Sequence, residues 1–501
     1  MKRLVIISRY IVFEKGGVKV SGGIVIGTDP DRNKYWTVDD DTHVLLIGTT
    51  RSGKSRRVIM PTIWHLARYG ESMIICDLKK ELQPITKDYL RSKGYKIVTL
   101  DFRTPNTGNR WNLLNPVLEA LAYNNTALAV QHSDDIAHTL SYDSKYRGDP
   151  IWPAAKKALI SSLILAVAVE APPPHKHMGT VFYLLAHLGQ YGGEALDRYF
   201  ASLSISHPAR NPYAIFQMST DKMRSSIATD TLTTLQLFGV DPAVVWMSSV
   251  QDHDLAAVGR EKTAVFLVIP DERTNRNVLA SLYIQQSYGA LVNLANQHRG
   301  RLPVRVNYLL DEFGNIPAIA DFTTKITTAG GRGIRFTLAV QGIDQLSEHY
   351  PNRENTIMGQ CWTWIYILTS DVKTAELISM KCGNYTVATE SYNSSAQMSG
   401  SRSEGVTQGL TSRPLVMKDE VLRWPVDSAL VLRTRMQPAR LSLPDISRLP
   451  ICDDFDMHRA GEPDPAIPIS LPEPWLPEIA APTANHRTGN RSQERPVDLG
   501  F

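Results

Sequence analysis

The sequence is poor in cysteine, contains no long apolar run and carries little net charge. Only four of its 501 residues are cysteines, and their wide spacing without a CxxC pair excludes a disulfide framework or a zinc site as the basis of the fold. The longest apolar run, residues 158–169, has about a dozen residues, whereas a membrane span needs roughly 20. The 54 basic and 50 acidic residues give a net charge of +4, which permits a nucleic-acid partner without indicating one.

Short runs rich in valine, isoleucine and leucine predict the strands of a parallel sheet. Helical patterns, such as 55–69 and 279–296, lie between most of these runs, and the alternation indicates an α/β fold with a mostly parallel sheet. Pro61 lies inside the first of these helices and is expected to kink it. The predicted strands are residues 43–48, 73–77, 97–102, 263–270, 306–312, 335–341 and 362–368.

Changes in composition divide the chain into segments. Strand patterns are missing between residues 125 and 250, where helical patterns predict an all-α domain inserted into the sheet domain. The sheet domain itself is assigned to residues 41–124 and 251–450, preceded by a β-rich segment at 1–40. Residues 386–412 are rich in serine, glycine and threonine, which favours a flexible loop. Residues 460–501 are rich in proline and have lost apolar periodicity, which predicts a disordered tail.

The clearest motif is a phosphate-binding loop that follows the first predicted strand. It matches GxxxxGK[ST], in which glycines let backbone N–H groups curl toward phosphate oxygens. In this motif the lysine reaches the β- and γ-phosphates and the hydroxyl can ligate Mg²⁺, while the next helix directs its positive N-terminal dipole at the same anion. The residues are Gly48, Thr49, Thr50, Arg51, Ser52, Gly53, Lys54 and Ser55.

Two acidic residues supply the second half of such a site. A P-loop enzyme needs a carboxylate to hold Mg²⁺ through water and a base to orient the attacking water. The predicted strand 306–312 ends in Asp311, the expected magnesium partner, and Glu312, the expected base. An acid pair that merely ends a strand is the competing interpretation, and the presence of the P-loop favours the catalytic one.

Further polar residues end two other predicted strands. Gln341 follows a hydrophobic strand, where its amide can contact the γ-phosphate or the attacking water. Asp77 ends another strand and is followed by Lys79 and Glu81. These last three residues either border the nucleotide or belong to a solvated loop, and their chemistry does not separate the two possibilities.

These segments resemble the coupling proteins of type IV secretion systems, the conjugative DNA-transfer ATPases of the TraG and TraD types. The resemblance rests on the P-loop followed by Val-Ile-Met-Pro-Thr, and on Asp-Leu-Lys-Lys-Glu at 77–81, close to the family's Asp-x-Lys-Gly-Glu. It rests also on Leu-Leu-Asp-Glu-Phe at 309–313 and on the stretch 331–341 that ends at Gln341. Weaker similarities extend the match over most of residues 30–450.

The resemblance implies a RecA-like P-loop NTPase with ATP and Mg²⁺ as cofactors. It further implies a homohexameric ring that binds nucleotide between subunits and moves single-stranded DNA or a relaxase–DNA complex toward a secretion channel. A ring site needs an arginine from the neighbouring subunit. Arg332 is the candidate, with Arg335 as the runner-up, and Lys325, Arg332 and Arg335 are candidates for the lining of the pore.

Two departures from the family pattern qualify these expectations. Family members commonly begin with membrane-spanning helices, and the apolar run 4–13 here is short and contains Arg9. We therefore expect a soluble, cytoplasmic member that a membrane-anchored partner recruits to the inner face of the membrane. Lys80 stands where a glycine is usual, which puts the role of Glu81 in question.

Two other functions remain open at this point. Another RecA-like DNA translocase would share the P-loop and the acid pair, although such motors usually lack an all-α insertion in this position. A non-hydrolysing adaptor that docks substrate on the channel is the second alternative, and the intact set of Lys54, Ser55, Asp311 and Glu312 argues against it.

Overall fold

A nine-stranded sheet forms the centre of the protein. The computed structural model describes residues 21–29, 34–272, 274–396, 402–471 and 473–478. Two further pairs of strands, β1–β2 and β10–β11, are separate antiparallel hairpins. The strands are β1 Ile24–Asp29, β2 Lys34–Val38, β3 Val44–Gly48, β4 Ser72–Asp77, β5 Lys96–Asp101, β6 Thr263–Val268, β7 Val306–Leu310, β8 Ile334–Val340, β9 Thr363–Leu368, β10 Asn384–Ala396, β11 Arg402–Pro414, β12 Ser428–Arg433 and β13 Ala439–Ser442.

The order of strands places the P-loop strand inside the sheet. The order is β13-β12-β9-β3-β8-β7-β4-β6-β5, and only β12 runs antiparallel to the rest, so that the edge strand β13 again runs in the common direction. In β3, Leu46 pairs with Ala339 of β8 on one side and with Ile365 of β9 on the other. All five residues of β3 are buried, as expected for a parallel strand covered by helices on both faces. The predicted α/β fold with a mostly parallel sheet is confirmed.

Helices cover both faces of the sheet and form the whole regular structure of the described residues between Thr126 and Ser248. That stretch coincides with the predicted all-α insertion. The α-helices are α1 Met60–Tyr69, α2 Leu82–Ser92, α3 Asn115–Ala122, α4 Thr126–Ser141, α5 Ile151–Glu170, α6 Met178–Leu188, α7 Glu194–Ser202, α8 Arg210–Gln217, α9 Asp221–Leu235, α10 Leu237–Val240, α11 Pro242–Ser248, α12 Ala257–Arg260, α13 Val278–Gln297, α14 Phe322–Ala329, α15 Asp344–His349, α16 Glu354–Gln360, α17 Val372–Cys382 and α18 Lys418–Leu422.

Helix α5 is the core helix of this helical region. Within the described part of the chain it is the one helix long and apolar enough to cross a membrane, with a mean hydropathy of 1.5. However, 67% of its most apolar window is buried inside the protein. It packs against α4, α8 and α9, so its apolar residues are already covered.

Residues 386–396 and 402–412 do not form the flexible loop that their composition predicts. They belong to β10 and β11, which pair over thirteen residues from Asn384 opposite Pro414 to Ala396 opposite Arg402, and residues 397–401 between them lie outside the described residues. Serine and threonine are compatible with strands when cross-strand hydrogen bonds pair the backbone. Composition alone does not reveal such pairing.

The predicted disorder of the C-terminal tail is also wrong for part of its length. Residues 461–467 lie against the surface, where the Gly461 N–H donates to the Lys80 carbonyl at 3.0 Å. Ile467 exchanges two hydrogen bonds with Asn106, at 2.7 and 2.8 Å. Residues 472 and 479–501 lie outside the described residues, as do residues 1–20 of the predicted β-rich N-terminal segment.

A buried ionic cluster ties the β1–β2 hairpin to the amino edge of the sheet, which is the edge where the parallel strands begin. Glu71 accepts hydrogen bonds from Arg335 at 2.5 Å, Arg305 at 2.9 Å and Asn307 at 3.0 Å. Arg335 is only 1% exposed and also donates to the backbone carbonyls of Gly22 and Asp40. Its proposed role in the pore or as the runner-up arginine is therefore wrong, because its side chain is fully used inside the fold.

Lys325 is likewise a buried residue rather than a pore residue. Its ammonium donates to the Ala320 carbonyl at 2.8 Å and lies over the ring of Tyr288. Burial lowers the pKa of Lys325. Of the three residues predicted to line the pore, only Arg332 keeps an accessible side chain.

His43 makes the stability of the fold depend on pH. Its Nε2 donates to the Ile326 carbonyl at 2.7 Å, and its Nδ1 accepts from the Phe336 N–H at 3.0 Å, so the buried ring is neutral. Burial lowers the pKa of His43 to about 4, and Arg335 adds to this effect. Since the unfolded chain takes up a proton near its ordinary pKa of 6.5 and the folded chain does not, His43 costs stability as the pH falls from about 6.5 to 4.

We expect His43→Gln, which retains a hydrogen-bond donor and an acceptor, to reduce the slope of the unfolding free energy against pH. The reduction corresponds to the loss of at most one proton taken up on unfolding. The measurement is the free energy of unfolding in urea at pH 4.5 and 7.5. Two other buried histidines, His65 and His177, also have pKa values lowered to about 4. His187→Gln, at an exposed position on α6, serves as the control, and an unchanged pH slope in His43→Gln would contradict the assignment.

Candidate nucleotide-binding site

The P-loop turns sharply at the carboxyl end of β3. A Cβ atom on Gly48 would lie 2.4 Å from the Ser52 hydroxyl oxygen, so only glycine fits there. Gly53 has φ 88°, a left-handed conformation that glycine adopts without strain. The loop is tied to the neighbouring strand by the Thr49 N–H, which donates to the Leu368 carbonyl at 3.0 Å. Thr50 and Arg51 are exposed at the tip of the loop.

The helix after the loop begins with a π-helical turn, Ser55–Ile59, and continues as α1. Pro61 comes directly after the π-helical turn inside this continuous helix, so its missing N–H falls where the helical hydrogen-bond pattern changes. The expected kink at Pro61 is thus replaced by a change of helix type just before it.

The ammonium group of Lys54 lies inside the loop. It donates to the Gly48 carbonyl at 2.8 Å and lies 3.1 Å from a carboxylate oxygen of Glu312. The side chain is only 4% exposed. These partners place the ammonium between the loop and the acid pair, which is where the lysine of this motif meets phosphate.

Ser55 and Asp311 are joined across the site. The Ser55 hydroxyl donates to Asp311 Oδ2 at 2.5 Å. Asp311 is buried, and burial raises its pKa to about 6, although the Ser55 hydrogen bond and the Lys54 charge act in the opposite direction. Its other oxygen, Oδ1, is buried without a hydrogen-bond partner among the described residues. A hydroxyl beside an unpaired carboxylate oxygen fits a hydrated Mg²⁺ ion.

Glu312 connects the P-loop to the strand that carries Gln341. One carboxylate oxygen faces Lys54, and the other accepts from the Gln341 amide at 2.9 Å. Glu312 has φ 58°, a conformation that costs energy in a residue other than glycine. The backbone N–H of Gln341 in turn donates to the Gln345 side chain at 2.8 Å. The structure therefore brings together Lys54, Ser55, Asp311, Glu312 and Gln341.

The loop after β4 lies beside this group without joining it. Asp77 is buried next to Asp311 and accepts from the backbone N–H groups of Glu81 and Gln83 at 2.9 and 2.8 Å. Burial raises the pKa of Asp77 to about 6. Lys80 has φ 53°, which accounts physically for the glycine of the family pattern. Its ammonium pairs with the buried Asp101 at 2.8 Å.

Two arginines that the sequence reasoning missed brace the P-loop from behind. Arg57 donates to Asp427 at 2.5 Å and to the Leu443 carbonyl at 2.7 Å. Its Nε lies 2.6 Å from where a Cβ of Gly53 would be, so the guanidinium packs directly on the loop. Arg56 forms a bidentate pair with Asp445 at 2.6 and 2.8 Å. The only sequence signal was the position of both arginines directly after Ser55.

Arg332 lies at the opposite edge of the sheet from the P-loop. It precedes β8, whose carboxyl end carries Gln341, and its guanidinium donates to the Thr328 carbonyl at 3.0 Å. Six residue steps along β8 span about 20 Å. Arg332 therefore does not reach the site of its own chain.

The geometry defines a RecA-like P-loop fold, which solved structures support. The plasmid coupling protein TrwB in complex with a non-hydrolysable ATP analogue matches 86% of this chain and 90% of its own, with a TM-score of 0.61 and 16% identity. The complex of TrwB with ADP and Mg²⁺ matches with a TM-score of 0.58 and 14% identity, over 84% of this chain and 93% of its own.

Sequence comparison identifies the family. Residues 4–443 match the family model described as type IV secretory system conjugative DNA transfer, and the chain belongs to this family. A conjugal transfer protein TraG from Escherichia coli is 23% identical over 438 residues, and VirD4 from Rhizobium rhizogenes is 24% identical over 417 residues. The matches cover 81% of this chain in both cases, but 66% and 59% of those proteins. The predicted family is confirmed.

We expect Arg57→Ala to destabilise the fold by about 2 kcal/mol, because the substitution removes hydrogen bonds from a largely buried charged group. Arg56→Ala is the matched control, since its side chain is 41% exposed and its ion pair contributes below about 1 kcal/mol. Urea unfolding gives the free energy of unfolding of both single variants. The same measurement on Asp427→Ala and on the double variant Arg57→Ala/Asp427→Ala completes a double-mutant cycle, which gives the coupling free energy between Arg57 and Asp427. Equal losses of unfolding free energy in Arg56→Ala and Arg57→Ala would contradict the conclusion that Arg57 supports the P-loop. Additive effects of Arg57→Ala and Asp427→Ala would also contradict it.

Proposed function

We propose that this chain is an ATPase that couples hydrolysis to the movement of DNA or a relaxase–DNA complex into a type IV secretion channel. The observation that carries the proposal is the meeting of Lys54, Ser55, Asp311, Glu312 and Gln341 at one edge of the sheet. Membership of the conjugative DNA transfer family supports the cellular role.

Binding of ATP with Mg²⁺ follows from the residues on three neighbouring loops. The P-loop supplies N–H groups for the phosphates, and Lys54 supplies the positive charge. Ser55 and Asp311 would hold a hydrated Mg²⁺ ion, whose positive charge would offset negative charge on the phosphates. The related TrwB has been solved with an ATP analogue and with ADP and Mg²⁺, which supports the same ligands here.

Hydrolysis requires Glu312 to change partners. In this structure Lys54 neutralises Glu312 at 3.1 Å. Phosphate is a competing anion for the same ammonium, so nucleotide binding releases the Glu312 carboxylate. Glu312 then accepts a proton from the water that attacks the γ-phosphate, and Gln341, whose amide lies 2.9 Å from the carboxylate in this structure, orients it.

The distance between Arg332 and the P-loop of its own chain favours a ring. An arginine that stabilises transition-state charge must enter the site. As the proposed finger, Arg332 would enter the site only from a neighbouring copy, and we therefore propose that the active site lies between subunits of a homohexamer. The site in a single chain lacks this cation.

DNA, the relaxase and the channel components are the proposed partners. We also propose that a membrane-anchored protein recruits the chain to the inner face of the membrane. A general RecA-like DNA translocase and a non-hydrolysing docking adaptor are the alternative functions. Phosphate release measured with and without single-stranded DNA separates them, since an adaptor shows no turnover in either condition and a DNA-coupled motor is stimulated.

We expect Glu312→Gln to bind Mg²⁺–ATP at least as tightly as the wild type, because the substitution removes a negative charge beside the phosphates and frees Lys54. Its turnover should fall by about 10²–10⁴-fold because the base is lost. Equilibrium binding of a fluorescent ATP analogue gives the affinity, and single-turnover phosphate release gives the rate of hydrolysis. Lys54→Ala, which should lose both, is the control. Normal turnover in Glu312→Gln would remove Glu312 from the role of base.

We expect rings mixed from Arg332→Ala and Lys54→Ala subunits to regain hydrolysis that neither variant shows alone. In a mixed ring, some interfaces pair an intact Lys54 with an intact Arg332 from the neighbour. Since an arginine finger contributes about 10³–10⁵ in rate, a small rescued fraction is measurable. Phosphate release is compared with mixtures of Lys54→Ala and Glu312→Gln, whose defects lie in the same site. Mixed rings without rescue would assign the finger to another arginine.

A further inference from the structure

Helix α15, which follows Gln341 after a short turn, lies against the loop that comes after Glu312. Two side chains of α15 that are one helical turn apart, Gln345 and His349, contact this loop. The His349 Nε2 donates to the Gly314 carbonyl at 2.7 Å. A Cβ atom on Gly314 would lie 2.4 Å from the amide carbon of Gln345, so the Gln345 side chain lies directly on the backbone of the loop. Helix α15 therefore contacts the loop within two residues of Glu312.

The Gln345 side chain also binds the backbone of Gln341. Strand β8 ends at Val340, so Gln341 lies in the turn after the strand. Its N–H donates to Gln345 Oε1 at 2.8 Å, and its own side-chain amide donates to Glu312 at 2.9 Å. The amide of Gln345 thus contacts both Gln341 and Gly314, which belong to the two loops that carry the catalytic half of the site.

Helix α17 holds the same turn from the other side. The Ile343 N–H donates to the Thr374 hydroxyl at 3.0 Å, and this hydroxyl donates to Asp371 at 2.5 Å. The hydrogen bond from Thr374 lowers the pKa of Asp371, so its carboxylate remains ionised as an acceptor. The turn between β8 and α15 is therefore fixed at Ile343 by α17 and at Gln341 by Gln345.

Aromatic packing fixes α15 on the loop that follows Glu312. Tyr350, directly after α15, is buried, and its ring lies nearly parallel to that of Phe313 with centroids 5.8 Å apart. The Tyr350 hydroxyl accepts from the Ile319 N–H at 2.9 Å. Because Phe313 follows Glu312 directly, these contacts hold the loop close to the carboxylate. They give Gln345 a helix that is anchored on the loop.

The alignment of Gln341 matters most when nucleotide is bound. In this structure the Glu312 carboxylate has two side-chain partners, Lys54 and Gln341. In the proposed mechanism the phosphates take Lys54, and Gln341 is the one of these two that continues to orient the base. Gln341 does so only while its own backbone stays in place. A displacement of about 1 Å in a reacting group can slow a reaction by about 100-fold.

We propose that Gln345 is a positioning residue that keeps Gln341, and through it the Glu312 carboxylate, aligned for hydrolysis. Gln345 does this by accepting the Gln341 N–H while it packs on Gly314, which fixes the separation of the two loops. Because these contacts are with backbone, Gln345 acts through Gln341 and not on the substrate. The inference rests on the proposed function, since it uses the roles of Glu312 and Gln341 proposed there.

The test compares Gln345→Met with Gln345→Glu. Methionine is similar in length but lacks the oxygen that accepts the Gln341 N–H, whereas glutamate keeps an oxygen there. Phosphate release is measured at saturating Mg²⁺–ATP, because the charge added by Gln345→Glu also repels the phosphates. We expect Gln345→Met to lower kcat by about 10–100-fold and Gln345→Glu to stay within about threefold of the wild type.

Nucleotide affinity separates positioning from a general loss of structure. We expect the Kd of a fluorescent ATP analogue to change by less than about twofold in Gln345→Met, because the P-loop with Lys54 and Ser55 is unaltered. Gln360→Met makes the same substitution at the end of α16 and is the control, with kcat and Kd unchanged. An equal loss of kcat in Gln360→Met overturns the inference, as does a kcat of Gln345→Glu as low as that of Gln345→Met. Weaker binding by Gln345→Met that matches its loss of kcat also overturns it.

A double-mutant cycle with Gln341→Ala tests whether Gln345 acts through Gln341. If it does, adding Gln345→Met to Gln341→Ala lowers kcat by less than about twofold further. Losses that multiply in the double variant overturn the inference.

The wild-type protein separates failure of the inference from failure of the proposed function. A wild type without turnover, with and without single-stranded DNA, overturns the proposed function and this inference with it. A wild type that hydrolyses ATP, together with an unchanged kcat in Gln345→Met, overturns the inference alone.

Discussion

The parallel alignment of β3, β8 and β7 is the constraint on which the site depends. Because these strands are neighbours and run in one direction, the P-loop, Gln341 and the acid pair emerge side by side at one edge. The Glu312 carboxylate spans all three by facing Lys54 and accepting from Gln341. In the proposed mechanism this carboxylate both neutralises the phosphate-binding cation and serves as the base, so that catalysis would depend on nucleotide, whose higher negative charge displaces the carboxylate from Lys54.

At the opposite edge of the sheet, buried charged side chains pair with one another. Glu71 receives hydrogen bonds from Arg305, Arg335 and Asn307, so the desolvated charges are paired and their polar atoms satisfied. Removing one partner would leave a buried charge uncompensated. This requirement fixes Arg335 in a structural role and leaves Arg332, three residues earlier, available at the surface.

Residues far along the chain complete the surroundings of the P-loop. Asp427 and Asp445 bind the arginines that follow Ser55, and Asp464 reaches Lys80 at 3.2 Å. Lys80 occupies a left-handed position that glycine fills without strain, and its pairing with buried Asp101 offsets that cost. The C-terminal part of the chain therefore stabilises both loops that border the site.

Local sequence determined the P-loop, the acid pair, the sensor glutamine and seven strands to within one or two residues, because each depends on spacing or periodicity within a short window. Tertiary structure alone decided which charged residues are buried, since Arg335 and a solvated arginine look alike in sequence. It also paired Arg57 with Asp427, 370 positions away, and formed the β10–β11 hairpin from residues whose polar composition predicts a loop. Such features arise from contacts between distant segments, and the free energy of those contacts does not appear in any local pattern.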